Sequence, residues 1–343
     1  MKRIRSTRFF LCALVGALIF AAILSMSSGQ YDISMETVIA SFAHAAGLPI
    51  LQHVTVTPEQ EAVLFHIRLP RTLVGLMVGA GLGISGAVLQ GIFSNPLADP
   101  GIIGVSSGAS VGAVLAIALG VTAVSVLSLP AFAFCGSMLA VGLTVSLSMR
   151  HGRIPIMTLL LSGVVVGMFL AACTAAILTV MNEQKMQQYL FWTIGGLDYR
   201  RWDHVLLGIA PIGISACIMT LLARHLNLLA FGEVEARAAG MPVTAFRLLF
   251  LALASLTTAA GVCISGNIGF VGLVVPHMMR LLVGPDHRRL LPASLLAGGA
   301  FLVLCDSLGR LLLSGLEIRV GIMTAFIGTP YFLYLLRRHM KGM

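Results

Sequence analysis

Residues 72–93 read TLVGLMVGAGLGISGAVLQGIF and contain no charged side chain. A helix needs about 20 mostly apolar residues to cross the hydrocarbon core of a membrane, so this stretch predicts a membrane span. Gly75, Gly79 and Gly83 recur at every fourth position and therefore share one face of the helix. Because small residues let helices approach closely in lipid, this stripe predicts tight packing against a second helix.

The rest of the chain has the same apolar character. Of its 343 residues, 58% are hydrophobic and 10% are charged, whereas soluble proteins contain about 25% charged residues. This composition excludes a soluble enzyme, a nucleic-acid-binding domain and a disordered chain. We predict an all-α polytopic membrane protein with one transmembrane domain over residues 1–343. Its ten predicted spans lie near 8–27, 63–92, 101–120, 125–149, 155–180, 204–223, 246–264, 268–283, 291–312 and 319–337.

The distribution of basic residues predicts the orientation. With the N-terminus inside and ten alternating spans, 15 Lys and Arg residues lie on the cytoplasmic side and seven on the outer side. Because basic residues concentrate in cytoplasmic loops, we predict that both termini are cytoplasmic and that the chain lies in the cell inner membrane. The first span is interpreted as retained, because its apolar core is longer than that of a typical signal peptide. Pro276 and Pro330 predict local breaks or kinks in the eighth and tenth spans.

Several kinds of chemistry are excluded by the residues present. A P-loop needs a lysine after glycine, and Lys2, Lys185 and Lys341 all lie elsewhere. A GxGxxG pattern at 81–86 falls inside an apolar helix and not between a strand and a helix. The six cysteines are isolated in apolar runs without metal-ligand spacing. We therefore predict no metal site, no cofactor bound by this chain and no catalytic residue.

Two other interpretations remain open. Ser85 lies in a GxSG sequence that resembles that of intramembrane serine proteases, and His277 is the histidine placed well inside a late span. An ion-coupled secondary transporter would need acidic groups near the membrane midplane, and Asp306 is the main acid within a predicted span. Such a transporter would work without a separate ATPase.

Two cytoplasmic segments carry helix-capping signals. In 95–101 (NPLADPG), Asp99 is the expected N-cap and Pro100 the first position of the next helix. This elbow is either a plain turn between spans or a rigid element at the mouth of a pathway. In 231–242 (FGEVEARAAGMP), acids precede good helix formers and a glycine and a proline follow, which predicts a short surface helix over about 233–239. A helix held between two spans can transmit force from a soluble partner.

Arginines on the outer side break the positive-inside tendency. Asp306 and Arg310 lie four residues apart near the outer end of the ninth span, so they can pair. Arg68 and Arg71 flank the outer start of the second span. These arginines either anchor the chain to lipid phosphates or form a basic rim that receives an acidic partner.

Taken together, these motifs resemble a known family. The chain is similar to the permease subunits of ABC importers for ferric siderophores, haem and vitamin B12, which are type II importers. The matching stretches are 68–71 (RLPR), 86–104 (GAVLQGIFSNPLADPGIIG), 232–240 (GEVEARAAG), 268–280 (IGFVGLVVPHMMR), 284–292 (GPDHRRLLP) and 320–330 (VGIMTAFIGTP).

The resemblance implies an assembly as well as a fold. It implies ten helices per subunit and a homodimer with the transport pathway between the two copies. It also implies two copies of a separate ATPase on the cytoplasmic face, which use ATP and Mg, and a periplasmic or lipid-anchored binding protein on the outer face. We expect an iron chelate as substrate, either a ferric siderophore or haem, with vitamin B12 as the alternative.

The resemblance also assigns roles to individual residues. Arg68, Arg71 and Arg310 match positions that bind acidic residues on the binding protein. Asn95 and Leu97 match a cytoplasmic gate, and Ile156 and Met157 match a second gate in which relatives often have small polar residues. The residues that match the element docking into the ATPase are Glu233, Glu235, Arg237, Ala239 and Gly240.

Overall fold

The computed structural model describes residues 2–48, 51, 53–150, 152–313 and 316–340. Across these residues the chain is almost entirely helical and contains no β-strand; one β-bridge joins Arg150 and Arg153. The all-α prediction is therefore confirmed for the described part of the chain.

Fifteen α-helices are described in chain order. They are α1 (Lys2–Ser27), α2 (Met35–Ala45), α3 (Pro58–Val63), α4 (Leu69–Ile92), α5 (Val105–Ala118), α6 (Ser128–Ser148), α7 (Ile156–Thr179), α8 (Glu183–Ile194), α9 (Trp202–Leu221), α10 (Ala223–Phe231), α11 (Glu233–Ala238), α12 (Val243–Ser265), α13 (Val271–Val283), α14 (His287–Leu311) and α15 (Val320–Met340). A π-helical turn over Leu64–Arg68 joins α3 to α4, so helical structure is continuous from Pro58 to Ile92.

Among the described residues, seven helical segments are long and apolar enough to cross a membrane. They are Phe9–Ser27, Pro58–Ile92, Ser128–Ser148, Ile156–Thr179, Trp202–Leu221, Val243–Ser265 and His287–Leu311. Three shorter apolar helices lie at the third, eighth and tenth predicted spans, over Val105–Ala118, Val271–Val283 and Val320–Tyr334. The polytopic prediction is confirmed, and the number of ten spans stays a prediction.

Helix α4 lies at the centre of the bundle, packed against α14, α12, α13 and α9. The glycine stripe explains the closest of these contacts. A Cβ atom on Gly79 would lie 2.3 Å from the Gly298 carbonyl oxygen, and one on Gly83 would lie 2.3 Å from that of Ser294. No side chain fits at either position, so the predicted tight packing is confirmed and its partner is α14.

The chain is irregular between α12 and α13. Gly266 has a φ of +76° and Phe270, which is not a glycine, has a φ of +68°. The segment packs against the end of α8, because a Cβ atom on Gly266 would lie 2.3 Å from the Trp192 carbonyl oxygen. Both α13 and α15 continue as helices through Pro276 and Pro330. Neither helix breaks at its proline, so the alternative of a break is wrong at Pro276 and Pro330, and a kink at either stays a prediction.

Candidate functional site

Buried ion pairs join α4 and α14 at the ends that the sequence predicts to lie on the outer side. Arg71 donates from Nε and Nη2 to the two oxygens of Asp306, at 3.0 and 2.9 Å. It also donates from Nη1 to Glu317 at 2.8 Å and from Nη2 to Asp198 at 3.3 Å. Arg310 pairs with Asp306 at 3.2 Å, which confirms the predicted pairing along α14. The residues of this outer cluster are Arg71, Asp198, Asp306, Arg310 and Glu317.

Two outer arginines also hold the end of α1. Arg310 Nη1 donates to the carbonyl oxygens of Ser25 and Ser28, at 3.1 and 2.7 Å. Arg68 Nη1 donates to those of Met26 and Ser27, at 2.7 and 2.9 Å. The last turn of a helix leaves carbonyl groups without intrahelical partners, and these guanidinium groups satisfy several of them.

The three arginines predicted for docking therefore lie below the surface. Arg68 is 4% exposed, Arg71 9% and Arg310 7%, and each guanidinium group is hydrogen-bonded within the chain. This geometry differs from an open rim, and it does not fit anchoring to lipid phosphates, because the donors are already engaged by the protein. Their part in docking stays a prediction.

Other basic residues surround an open cavity on the same outer side. The cavity has a volume of about 550 Å³. It is lined by Gln30, His66, Ile67, Arg71, Asp198, Tyr199, Arg200, Arg201, Glu317 and Arg319. Tyr199 and Arg201 are exposed there, whereas burial lowers the pKa of Arg200 to about 10, against an opposing effect of Asp198. Arginines outnumber carboxylates around this opening, so it favours an acidic partner.

The elbow at 95–101 forms as the sequence predicts. Asp99 Oδ1 accepts from the Gly101 amide at 2.8 Å and caps a 3₁₀ turn that begins at Pro100. Asn95 Oδ1 accepts from the Leu97 amide at 2.9 Å, which fixes the turn. Asn95 and Leu97 are both exposed at this end of the molecule. The turn is hydrogen-bonded and accessible, and its role as a gate stays a prediction.

The second predicted gate begins α7. The amide of Arg150 donates to the carbonyl oxygen of Arg153, and the reverse bond is also made, both at 2.9 Å. This bridge closes the turn between α6 and α7. Ile156 is half-buried and Met157 is 79% exposed. Met157 therefore presents a large apolar side chain that nothing in the described part of the chain covers.

The predicted coupling helix forms over Glu233–Ala238, with Ala239 as its C-cap and Gly240 following at a φ of +79°. Glu233 Oε1 pairs with Arg237 at 2.8 Å, four residues further along. The hydrogen bond from Arg237 lowers the pKa of Glu233, burial opposes that effect and Arg247 adds to it. Glu235 is exposed.

Helix α10 and Arg247 extend this predicted cytoplasmic site beyond the residues that the sequence identified. Helix α10 exposes Phe231 next to α11, in a region that the sequence treats as a plain connection. Arg247 lies within α12, is 5% exposed and pairs with Glu233 Oε2 at 3.2 Å. A charged residue one turn inside an apolar run is a signal that could have found it, because ionisable groups within spans are costly unless they are partnered.

The structure does not form the alternative serine site. Ser85 is fully buried within α4, and its hydroxyl oxygen makes no hydrogen bond among the described residues. A nucleophilic serine needs a base within hydrogen-bond reach. The described residues also contain no group of three or more His, Cys, Asp or Glu side chains that could hold a metal ion.

Comparison with known proteins decides the family. Residues 17–338 match the model of the FecCD transport family. The chain belongs to the FecCD transport family. FecCD membership confirms the resemblance given above: the chain is a multi-pass permease subunit of an ABC importer, is not an enzyme, and relies on a separate ATPase for ATP hydrolysis.

The relatives of this FecCD chain are named for different cargoes. It is 47% identical to a cobalamin import system permease protein of Halobacterium salinarum, over 81% of this chain and 74% of that protein. It is 38% identical to a hemin transport system permease protein of Yersinia pestis, over 80% and 83% of the two chains. A molybdate import system permease protein of Haemophilus influenzae is 36% identical over 95% of this chain and 94% of its own.

A solved structure shares the fold of this FecCD chain. It is described as an inward-facing conformation of a metal-chelate type ABC transporter. The two chains are 34% identical and align with a TM-score of 0.84, over 96% of this chain and 98% of the other. The helical arrangement described above is thus that of an importer permease.

Proposed function

We propose that this permease moves a bulky metal chelate across the inner membrane, with cobalamin, a ferric siderophore and haem as the members of that class. The FecCD match over 17–338 carries the proposal. The cobalamin permease at 47% identity makes cobalamin the first cargo to test, ahead of the iron chelates expected from the sequence resemblance. Molybdate, a small oxyanion, is the competing cargo.

The proposed transporter contains two copies of this chain, each with ten spans and cytoplasmic termini. Helix α7 supports this proposal, because it exposes a broad apolar face that one copy leaves uncovered. The large exposed residues on α7 are Met157, Leu161, Val164, Val165, Met168 and Phe169. A second copy and lipid together would cover such a face, and the pathway would run between the two copies. Native mass measurement of the purified complex tests the stoichiometry.

The energy source is a pair of separate ATPase subunits that use ATP and Mg. This part of the proposal rests on family membership and on α11, a capped helix on the cytoplasmic side with an exposed Val234. The ATPase would grip α11 from the cytoplasm. The elbow at Asn95 and Leu97 and the start of α7 at Ile156 and Met157 would then open or close the pathway.

The outer cavity is the proposed docking surface for a substrate-binding protein. Arg201 and Tyr199 lie exposed at its edge, and the excess of arginine would orient acidic residues on the partner's two lobes. Because Arg68, Arg71 and Arg310 are hydrogen-bonded internally, replacing them would disturb folding as well as docking. Arg201→Glu is the cleaner test: we expect weaker affinity for the binding protein, measured by biolayer interferometry. Arg153→Glu is the matched control, because Arg153 is also an exposed arginine but lies just before the start of α7, away from the cavity.

Transport is tested with the permease, its ATPase and its binding protein together in proteoliposomes. The probes are radiolabelled cyanocobalamin, ferrichrome, hemin and molybdate. We expect ATP-dependent uptake of one of the three chelates and no uptake without the ATPase. Uptake of molybdate alone would overturn the cargo class, and equal uptake without the ATPase would overturn the mechanism.

A further inference from the structure

Three cytoplasmic segments meet at the side chain of Arg247. Its Nη1 donates to the carbonyl oxygen of Ile154 at 2.7 Å, and its Nη1 and Nη2 both lie 3.2 Å from Glu233 Oε2. Ile154 lies 93 residues before Arg247 and Glu233 lies 14 residues before it. One buried guanidinium group thus joins α11, α12 and the segment that leads into α7.

The carbonyl of Ile154 lies one residue before the N-cap of α7. Ile154 follows the turn that the Arg150–Arg153 bridge closes, and it is 1% exposed. Pro155 comes next with a φ of −65° and is the N-cap of α7. Because the proline ring fixes φ, one of the backbone rotations between the Ile154 carbonyl and Ile156 is removed, which stiffens the connection to Ile156 and Met157.

The other end of the link is placed where a partner can move it. The Glu233 side chain is 38% exposed, whereas that of Arg247 is 6% exposed. Glu233 also divides its two oxygens between Arg237 and Arg247. A change in the position of α11 would therefore alter the Glu233–Arg247 distance while Arg247 stays fixed to Ile154 by a hydrogen bond that is shielded from water.

We propose that Arg247 is a positioning residue that links the ATPase-binding helix α11 to the cytoplasmic gate at the start of α7. When α11 moves, it displaces Glu233, and the ion pair carries this displacement to Arg247. The hydrogen bond from Arg247 then moves the Ile154 carbonyl, and Ile156 and Met157 shift with it. The proposal rests on the proposed function, because it needs an ATPase to move α11. No covalent bond is made or broken.

The test measures gate movement without knowledge of the cargo. Met157→Cys is introduced into a chain whose six native cysteines are replaced by serine or alanine. The permease and ATPase are reconstituted together, and the labelling rate with a water-soluble maleimide is compared between the nucleotide-free complex and the complex trapped with ATP and vanadate. The variants are Arg247→Gln, Arg247→Lys and Glu233→Gln, with ATP hydrolysis and copurification of the ATPase measured alongside.

Arg153→Gln is the matched control. Arg153 is an exposed arginine next to Ile154, and the Arg153 side chain makes no hydrogen bond or ion pair among the described residues. We expect nucleotide to change the labelling rate in the parent and in Arg153→Gln. In Arg247→Gln the change should shrink at least about fivefold, the size of a modest coupling between two sites, while the ATPase still copurifies and hydrolyses ATP. Because Glu233 lies in the helix that would bind the ATPase, Glu233→Gln is compared with the parent at equal amounts of copurified ATPase, and the change should shrink there as well. Arg247→Lys should fall between, since one ammonium group reaches one of the two acceptors.

The outcomes separate this proposal from the proposed function. If nucleotide leaves the labelling rate of the parent unchanged, ATPase-driven gating itself fails. If the parent responds and both Glu233→Gln and Arg247→Lys respond equally well, the link through Arg247 is overturned. The Glu233 side chain is far more exposed than that of Arg247, at 38% against 6%, so its variant tests the link even if Arg247→Gln does not fold.

Discussion

The outer cluster and the cytoplasmic link through Arg247 contain the same kinds of charged groups in opposite settings. In the outer cluster the side chains of Asp306 and Arg310 are both 3% exposed. In the cytoplasmic link, Glu233 and Arg237 are 38% and 41% exposed. The acid that joins two arginines is therefore almost fully buried in the outer cluster and partly exposed in the cytoplasmic link, where Arg247 alone is buried.

This difference in exposure predicts a difference in what the ion pairs do. Removing one partner of a buried pair leaves an uncompensated charge, which destabilises strongly, whereas exposed pairs contribute little and are screened by salt. The outer cluster is therefore suited to holding α1, α4, α14 and the 195–201 segment in one arrangement. The Glu233 pairs are suited to changing partners at small cost.

The largest effect is expected from Asp306→Ala. It leaves Arg71 and Arg310 buried without their shared partner, and such changes cost about 3–5 kcal/mol. We expect a large drop in the unfolding midpoint of the detergent-purified permease, measured by differential scanning fluorimetry. Asp203→Ala, at an exposed acid that begins α9, should cost less than about 1 kcal/mol. Equal effects would remove the distinction between the buried and exposed regions.

A smaller effect is expected from Arg68→Ala. The carbonyl groups of Met26, Ser27 and Tyr31 lose a shared donor, and each unsatisfied buried polar group costs about 1–3 kcal/mol. Water can replace part of this loss at the membrane surface, so we expect about 2 kcal/mol in total. Arg201→Ala is the exposed control in the same unfolding assay. A loss as small as in the control would show that Arg68 does not anchor α1.

A third prediction concerns salt. Arg237→Ala removes an exposed pair four residues apart, which is worth about 0.3–0.5 kcal/mol at low salt. In about 1 M salt the Debye length falls to about 3 Å, and the effect of this substitution should disappear. The effect of Asp306→Ala should persist under the same conditions, because buried pairs are screened much less. Unfolding midpoints of both variants at the two salt concentrations make the comparison direct.

The smallest effect concerns acid. The pKa of Glu233 is lowered from its ordinary value of 4.5, with the Arg237 hydrogen bond as the largest cause. A lowered pKa in the folded state stabilises above the unfolded-state pKa, and this stabilisation is lost as the pH falls through the lowered value. Glu233→Gln should therefore differ from wild type at pH 6 and above, and the two unfolding midpoints should converge in stronger acid. A difference that grows with acid would have the wrong sign.

The sequence predicts the helices well where one chemical pattern suffices. Apolar runs locate the long spans, the glycine stripe on α4 locates a close contact, and Asp99 and Pro100 locate a helix start. Helices α8 and α10 were not predicted, because their mixed composition does not distinguish them from a connecting segment. Each pattern that succeeded lies within a few consecutive turns of one segment.

The charged clusters could be predicted only in part, because their partners are distant in sequence. The Asp306–Arg310 pair follows from a spacing of four residues, but Asp306 and Arg71 are 235 positions apart. Arg247 donates to the backbone carbonyl of Ile154, and the apolar side chain of Ile154 gives no indication of that contact. The prediction that singled out Arg68, Arg71 and Arg310 did not reveal that they are buried, because burial depends on where the end of α1 lies.

The contact between the end of α8 and the irregular segment before α13 limits where the chain can change length. The amide of Gly196 donates to the Ser265 carbonyl at 2.8 Å, so the 195–201 loop supplies a backbone partner where α12 ends. A residue added or deleted in this loop would shift Gly196 away from Ser265. The 119–127 turn, by contrast, makes no comparable backbone bond to another segment within the part of the chain that the structure describes. We therefore expect epitope tags to be accepted between α5 and α6 and rejected between α8 and α9.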